Sequence, residues 1–193
     1  MCCKPWFAAV EQIAPEYFVN GGLSSEHRGI RPSDHVRIIM TSPAGKTFTQ
    51  RDAEMFAATS GAVAEGRDST VGHLIFMCGH YEGFDARIET LATDKYSVGD
   101  FVMTGGELAA AAMVDSIVRL LPGVLGGGPQ ATASESFGRD GMLEAPQYTH
   151  PPEFRGMKVP EVLLSGDHAK IEAWKRSEAR KLTERVRPEL IDD

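Results

Sequence analysis

The 193-residue chain has few cysteines and no long apolar run. Its three cysteines are an odd number, and the adjacent Cys2 and Cys3 have neither the spacing nor the partners of a zinc site. No apolar run reaches the ~18 residues that span a bilayer, and no apolar stretch near the N-terminus precedes a small-residue cleavage site. We therefore expect a cytoplasmic protein, in a reducing compartment and away from membranes, that holds no metal ion.

Positive charge is also scarce, because 20 Lys and Arg stand against 27 Asp and Glu, which gives a net charge of −7. This balance argues mildly against a nucleic-acid partner, since phosphate binding needs clustered cations. The cations are unevenly distributed, and residues 150–187 hold nine Lys or Arg against six Asp or Glu. Such a segment is compatible with local RNA contact, although charge alone favours a solvated helix face.

Neither a G-x-G-x-x-G after a strand pattern nor a G-x-x-x-x-G-K-[ST] motif is found, so dinucleotide and P-loop binding lack support. Short apolar segments instead alternate with helical patterns. We predict buried strands at residues 36–40, 73–78 and 96–103, and helices at residues 50–64 and 104–121. This alternation indicates an α/β domain with a largely parallel sheet.

Helix signals flank this core. Trp6 to Ile13 suggests a short amphipathic helix, and Thr104 with Glu107 three residues later predicts a capping box at the start of the helix at 104–121. Residues 126–141 are rich in small residues and predict a linker.

Beyond the linker, residues 159–164 are predicted to be extended. Asp167 is predicted to cap a last helix, in which three apolar residues share one face, namely Ile171, Trp174 and Leu182.

Three loops of small residues mark the candidate site, and each lies after a predicted strand, at residues 42–45, 79–83 and 104–106. In an open α/β sheet, ligands bind beyond the carboxyl ends of the strands, where glycine lets the backbone approach a ligand closely. We therefore expect the loops to form one backbone-lined pocket. Composition alone favours the alternative that they are only tight strand-to-helix turns.

Two longer stretches around these loops are specific, since residues 78–87 read CGHYEGFDAR and residues 96–108 read YSVGDFVMTGGEL. Shorter motifs follow in order: DSIVR at 115–119, LPGVLG at 121–126, PQYT at 146–149, GMKVP at 156–160 and VLLSGDH at 162–168. Together and in register, these motifs resemble those of the bacterial tRNA (guanine-37-N1) methyltransferases.

The resemblance implies an α/β fold in which a trefoil-knotted, parallel-sheet methyltransferase domain is followed by a small helical C-terminal domain, the knot being an exception among chains. It assigns residues 1–125 to the cofactor-binding domain, 126–146 to a flexible linker and 147–193 to part of a tRNA-binding domain. The family's first strand and the glycine-rich loop after it are expected to be missing, because neither motif precedes Lys4. The family works as a homodimer whose active site is shared between chains.

The resemblance also implies that S-adenosyl-L-methionine is the methyl donor, held mainly by backbone groups of the three loops. Carried over by position, the binding residues are Met40, Thr41, Ser42, Pro43, Ala44, Gly45, Gly79, Glu82, Val98, Gly99, Asp100, Phe101, Val102, Met103, Gly105 and Gly106. Two roles stay open for Glu82, whose carboxylate can neutralise the ammonium of the methyl donor or pair with Arg87.

The family's reaction places a methyl group on N1 of guanine 37 in tRNA, next to the anticodon. N1 carries a proton at neutral pH, so a general base must remove it as N1 attacks, and a cation should stabilise the charge that develops on the guanine oxygen. By position, Glu135 is the base, where the family usually has aspartate, and Arg119 is the cation. Each residue also has a non-catalytic alternative. Spacing alone favours an ion pair of Arg119 with Asp115 on a helix surface. Without the resemblance, Glu135 would be interpreted as a solvated carboxylate in a loop.

Two other functions stay open at this point. One is a related knotted enzyme with a different RNA substrate. The other is a catalytically silent RNA-binding or dimerisation module, which the glutamate at position 135 and the missing first strand would suit.

Overall fold

The computed structural model of the chain describes residues 3–14, 36–60, 73–126, 132, 134–138 and 140–191. The chain divides into two compact units, Met1–Leu125 and Gly126–Asp193. The first unit contains α1 (Lys4–Ile13), β1 (Val36–Thr47), α2 (Gln50–Ser60), β2 (His73–Met77), a 3-10 helix (Ala86–Leu91), β3 (Asp94–Ser97) and α3 (Glu107–Val118). The second unit contains β4 (Glu153–Phe154), β5 (Met157–Lys158), α4 (Glu161–Leu164), α5 (His168–Val186) and a 3-10 helix (Pro188–Leu190).

The first unit is built on a three-stranded sheet in the order β2-β1-β3, in which both neighbours run parallel to β1. The register pairs Val36 with His73 and Met40 with Met77 on one side of β1. The predicted strand at residues 73–78 is therefore confirmed, and so is the α/β class with a parallel sheet.

The core lies on both faces of this sheet, because alternate residues of β1 point to opposite sides. One face carries the buried cluster of Val10, Ala14, Val36, Ile38, Met40, Met77, Ile88 and Leu91. The other face carries the cluster of Ile39, Ala53, Phe56, Ala57, Tyr96, Met113 and Ile117. Three consecutive apolar residues of β1, Ile38, Ile39 and Met40, are all buried because helices cover both sides of the strand.

Thr49 and Asp52 form a capping box at the start of α2. The Thr49 N–H donates to the Asp52 carboxylate over 3.0 Å, and the Asp52 N–H donates to the Thr49 hydroxyl over 3.4 Å. Two N–H groups at the helix start are satisfied in this way. The helix follows the predicted one at residues 50–64 as far as Ser60, and residues 61–64 lie outside the described part of the chain.

Asp52 is also the centre of a buried polar network, since only 4% of its surface is exposed. Its carboxylate accepts hydrogen bonds from Lys46 Nζ at 2.7 Å and from the Tyr96 hydroxyl at 2.9 Å. Burial would raise the pKa of Asp52, but the hydrogen bonds from Lys46, Thr49 and Tyr96 bring it below its ordinary value. The network ties the end of β1, the start of α2 and the end of β3 together.

Two predicted strand ends are wrong. β1 continues past Met40 to Thr47, but its register breaks so that Thr41 and Lys46 both face Tyr96, which is the geometry of a bulge. β3 stops at Ser97 and does not reach residue 103, because the Ser97 hydroxyl donates to the carbonyl of Gly99 and accepts its N–H. Gly99 has a φ of +148°, which turns the chain out of the sheet.

The predicted capping box before α3 is also wrong. The helix begins at Glu107 with Gly106 as its N-cap, and no side chain caps it. The Glu107 carboxylate instead contacts Nε2 of His80 at 2.5 Å. The sequence pattern had predicted that this carboxylate would cap the start of the helix, but it pairs with a residue of another loop. The regular helix ends at Val118 rather than at residue 121.

In the second unit, β4 and β5 form an antiparallel hairpin whose turn residues, Arg155 and Gly156, both have positive φ. The predicted extended segment at residues 159–164 is wrong, because α4 begins at Glu161 directly after Pro160. The predicted cap of α5 is confirmed, since the Asp167 carboxylate accepts the N–H of Lys170 at 3.2 Å. Among the described helices, none is both long enough and apolar enough to cross a membrane.

Replacing Tyr96 by Phe should test the buried network, because the ring stays and only the hydroxyl is lost. We expect the free energy of unfolding to fall by about 1–3 kcal/mol, since a buried carboxylate loses a hydrogen bond. Urea denaturation at neutral pH measures the change. Tyr81→Phe is the matched control at a residue that is 96% exposed, and equal losses in the two variants would contradict the network's role.

Asp52→Asn should reveal the same network through pH. A carboxyl whose pKa is lowered in the folded state stabilises that state above the unfolded pKa, near about 3.9, and loses this contribution as the pH falls through the folded value. We therefore expect the stability difference between the natural chain and Asp52→Asn to be largest at neutral pH and to shrink on acidification. A difference that grows as the pH falls would refute the assignment.

Candidate active site

A cavity of about 310 Å³ lies at the carboxyl end of the parallel sheet. Three segments line it, and they come from the middle of β1 at residues 40–43, from the loop between Gly79 and Phe84, and from the loop between Val98 and Gly106. The prediction that three loops form one pocket is therefore confirmed.

Backbone contacts hold two of these loops together. The Gly106 N–H donates to the Gly79 carbonyl over 3.0 Å, and His80 and Gly105 form an isolated antiparallel bridge. A Cβ on Gly106 would lie 2.0 Å from the Thr41 hydroxyl oxygen and 3.2 Å from the Cα of Cys78. Only glycine fits there, and its absence of a side chain brings all three segments to one place.

A side-chain contact on the rim reinforces this junction. His80 Nε2 lies 2.5 Å from a carboxylate oxygen of Glu107, and both side chains are about half exposed. The pair joins the loop after β2 to the first turn of α3.

Acidic side chains give the cavity a negative wall. Glu89 lines the cavity and is paired with Lys95 Nζ at 2.7 Å. Glu82 also lines it and has no ion-pair partner among the described residues. Arg87, which was one expected partner of Glu82, donates from Nε and Nη2 to Asp85 at 2.8 and 2.6 Å. Glu82 therefore offers the cavity a negative charge without a bound cation.

Most of the residues that the sequence suggested for the methyl donor line this cavity. They are Met40, Thr41, Ser42, Pro43, Gly79, Glu82, Val98, Gly99, Phe101, Val102, Met103, Gly105 and Gly106. Three others lie outside the lining. Gly45 faces the backbone of Tyr96, where a Cβ would lie 2.5 Å from its nitrogen, whereas Ala44 and Asp100 are exposed.

Three lining residues belong to the predicted loops although they were not among the residues carried over for the methyl donor, namely Tyr81, Gly83 and Thr104. The sequence analysis missed five others, which are Phe84, Glu89, Tyr96, Ser97 and Ala109. Most belong to the two long motifs, so the motif boundaries were a usable signal for them. Glu89 carries no local signal, because only the fold of the 3-10 helix brings it to the cavity.

Cys78 lies beside the cavity but is not suited to act as a nucleophile. Burial raises the pKa of its thiol, the Glu107 carboxylate raises it further, and the Thr41 hydroxyl opposes this only in part. The thiol therefore stays protonated near neutral pH. No cluster of three or more metal-ligating side chains occurs within the described residues.

The two predicted catalytic residues belong to different units. Arg119 is half-buried at the C-terminal end of α3, and its N–H donates to the Asp115 carbonyl over 3.1 Å. A cation is favoured there by the helix dipole. Glu135 is half-buried in a turn of the second unit and lines an open groove of about 930 Å³ there. Three cations of α5 line the same groove, Lys175, Arg176 and Arg180, and so do three further carboxylates, Asp140, Glu144 and Glu172.

Comparison with known proteins identifies the class. Residues 3–193 match the sequence model of the family described as tRNA (Guanine-1)-methyltransferase TrmD. The chain therefore belongs to this family of tRNA methyltransferases.

Three curated relatives illustrate the similarity, and each is named tRNA (guanine-N(1)-)-methyltransferase. The protein of Levilactobacillus brevis is 54% identical over 81% of this chain and 56% of its own length. The protein of Exiguobacterium sp. is 50% identical over 81% of this chain and 60% of its own length. The protein of Lacticaseibacillus paracasei is 47% identical over 92% of this chain and 62% of its own length. The chain thus spans less than two thirds of the length of these relatives.

Gly106→Ala should test the close approach of the loops. The added Cβ meets the Thr41 hydroxyl, so we expect about 1–3 kcal/mol of destabilisation from overpacking. Gly126→Ala is the control, since nothing lies within 4 Å of a Cβ built there. Combining Gly106→Ala with Thr41→Ala should cost less than the sum of the two single changes, because the clash is removed. Additive costs in thermal unfolding would show that the contact is not the constraint.

Proposed function

We propose that this chain transfers a methyl group from S-adenosyl-L-methionine to N1 of guanine 37 in tRNA, next to the anticodon. The observation that carries the proposal is the cavity at the sheet's carboxyl end, which is lined by the motifs the chain has in common with its family. The family's name supplies the reaction class, and the cavity offers a place for the methyl donor.

The cavity suits the methyl donor in shape and charge. Gly79 and Gly106 have no side chain to cover their peptide groups, so a ligand can approach these groups closely. Other residues would not fit at these two positions, because their Cβ atoms would meet Phe84 and Thr41. The exposed Phe101 offers an apolar surface for a purine ring. The Glu82 carboxylate offers negative charge to a ligand whose ammonium and sulfonium groups are positive. When bound, S-adenosyl-L-methionine supplies an electrophilic methyl group.

The residues of the chain would supply the proton transfer and the charge stabilisation. We assign the removal of the N1 proton of guanine to the Glu135 carboxylate, because the sequence motif around it resembles the one that carries the family's acidic residue. We assign the stabilisation of the guanine oxygen to Arg119, whose guanidinium is always charged. These roles rest on the family motifs. Because Arg119 and Glu135 belong to different units, the mechanism requires that both side chains be brought to the same guanine.

The target base must leave its stack to reach the cavity, and single-stranded loops are the usual targets of such recognition. We propose that the groove of the second unit contributes to tRNA binding through Lys175, Arg176 and Arg180. We further propose the family's assembly, a knotted cytoplasmic homodimer in which the cavity of one chain works with the Glu135 turn of its partner.

Substitution of the two proposed catalytic residues tests the function. Purified protein is incubated with radiolabelled S-adenosyl-L-methionine and an unmodified tRNA transcript with guanine at positions 36 and 37, and the labelled base is mapped. We expect label at N1 of guanine 37, and its loss in Arg119→Ala and Glu135→Ala, with calorimetric binding of the methyl donor largely unchanged. Loss of a positioned base or charge stabiliser should cost at least about a hundredfold in kcat.

Matched controls separate these roles from general charge effects. Arg51→Ala and Glu153→Ala remove exposed charges from α2 and β4, and both should retain full transfer. Near-full kcat in Arg119→Ala or Glu135→Ala would remove that residue from the mechanism. Binding of the methyl donor without any transfer to tRNA would favour a catalytically silent RNA-binding module.

A further inference from the structure

Thr183 is the most deeply buried polar residue among those described in the second unit, with 0% of its surface exposed. It lies in the last part of α5, and its hydroxyl both donates and accepts a hydrogen bond. The hydroxyl donates to the Ala179 carbonyl over 2.7 Å and accepts the N–H of Leu143 over 3.0 Å. The first bond stays within the helix, whereas the second reaches 40 residues back along the chain.

Leu143 belongs to the compact turn segment at residues 135–144, which carries Glu135. Within this segment the Gly138 N–H donates to the Glu135 carbonyl at 3.0 Å, and the Phe137 N–H donates to the Met142 carbonyl at 2.8 Å. The Glu144 N–H donates to the Ser136 hydroxyl at 2.9 Å. These bonds close the segment on itself, so that anchoring one end of it fixes the orientation of the other.

A second contact holds the segment to the same end of α5. The Arg187 guanidinium lies 5.8 Å from the centre of the Phe137 ring, and Phe137 has a φ of +65°, which is strained for a residue with a side chain. A strained turn persists only where its surroundings determine it. Here those surroundings are the end of α5 and the Thr183 hydroxyl.

We infer that Thr183 is a positioning residue for the Glu135 carboxylate, acting through the hydrogen bond to Leu143 and the closed turn between them. This inference rests on the proposed role of Glu135 as the base. A base must be held in a narrow range of positions relative to the proton it removes, and a displacement of about 1 Å can cost about a hundredfold in rate. The Thr183 hydroxyl therefore acts on the chemical step without touching the substrate.

Thr183→Val is the decisive variant, because valine keeps the shape of threonine and removes only the hydroxyl. We expect kcat for tRNA methylation to fall by about tenfold or more, while KM for tRNA and the Kd of S-adenosyl-L-methionine change by less than about twofold. Thr183→Ser restores the hydroxyl and should restore kcat. Circular dichroism and thermal unfolding are recorded for each variant, and assays are run well below its Tm.

Ser165→Ala is the matched control in the same unit. The Ser165 hydroxyl also donates to a carbonyl, that of Val162 at 2.7 Å, and accepts an N–H, that of Asp167 at 3.2 Å. It does so away from the Glu135 turn, so its loss should leave kcat unchanged. If Thr183→Val does not fold, Ser136→Ala opens the same turn from its other side and should lower kcat in the same selective way.

The outcomes separate this inference from the proposed function. A kcat within about twofold of the natural chain in Thr183→Val, or a change confined to KM, would overturn the positioning role if Glu135→Gln abolishes transfer. If Glu135→Gln retains kcat as well, the role of Glu135 itself is wrong. A loss of kcat that Thr183→Ser does not rescue would also refute the inference, because side-chain volume rather than the hydroxyl would then be responsible.

Discussion

The contact between Gly106 and Thr41 is the constraint on which the candidate site depends. Gly106 is the N-cap of α3 and a donor to the Gly79 carbonyl, and a Cβ at this position would meet Thr41 of β1. Because no side chain fits there, the start of α3 is fixed against the end of the sheet. The helix then runs twelve residues, or about 18 Å, so the position of Arg119 at its far end follows from the same contact.

The hydrogen-bond network of Asp52 stabilises the part of the sheet that carries the cavity. Tyr96 belongs to the buried cluster on one face of the sheet, donates to Asp52 and also lines the cavity. One side chain therefore serves the core and the site together. A buried carboxylate that is fully hydrogen-bonded specifies where its partners lie, whereas an apolar contact would tolerate sliding. The hydrogen bond to Asp52 therefore also fixes the position of Tyr96 where this residue lines the cavity.

The sequence predicted the elements whose signal is local and failed where a distant partner decides. The apolar runs at β1 and β2 and the cap at Asp167 were recognised because composition and a neighbouring N–H suffice. The Glu107 capping box failed because His80 binds the carboxylate, and the strand after Tyr96 failed because Gly99 turns the chain. The three loops of the site were predictable from their glycines, but Glu89 reaches the cavity only through the fold. The roles proposed for Arg119 and Glu135 come only from the resemblance to the family, since neither residue has a local pattern that distinguishes it from a surface charge.

Glycines at positions 79, 83, 99, 105 and 106 line the cavity and present only main-chain atoms to it, and this affects how the site can change over time. Val102 is 88% exposed, so its side chain can vary while its N–H and C=O remain where they are. A substitution other than proline keeps both polar groups of the peptide, and one at Gly79 or Gly106 would shift them, because a side chain there would meet Phe84 or Thr41. An inhibitor that bound these peptide groups would therefore leave few single substitutions through which resistance could arise, and most of those would disturb the junction of the loops.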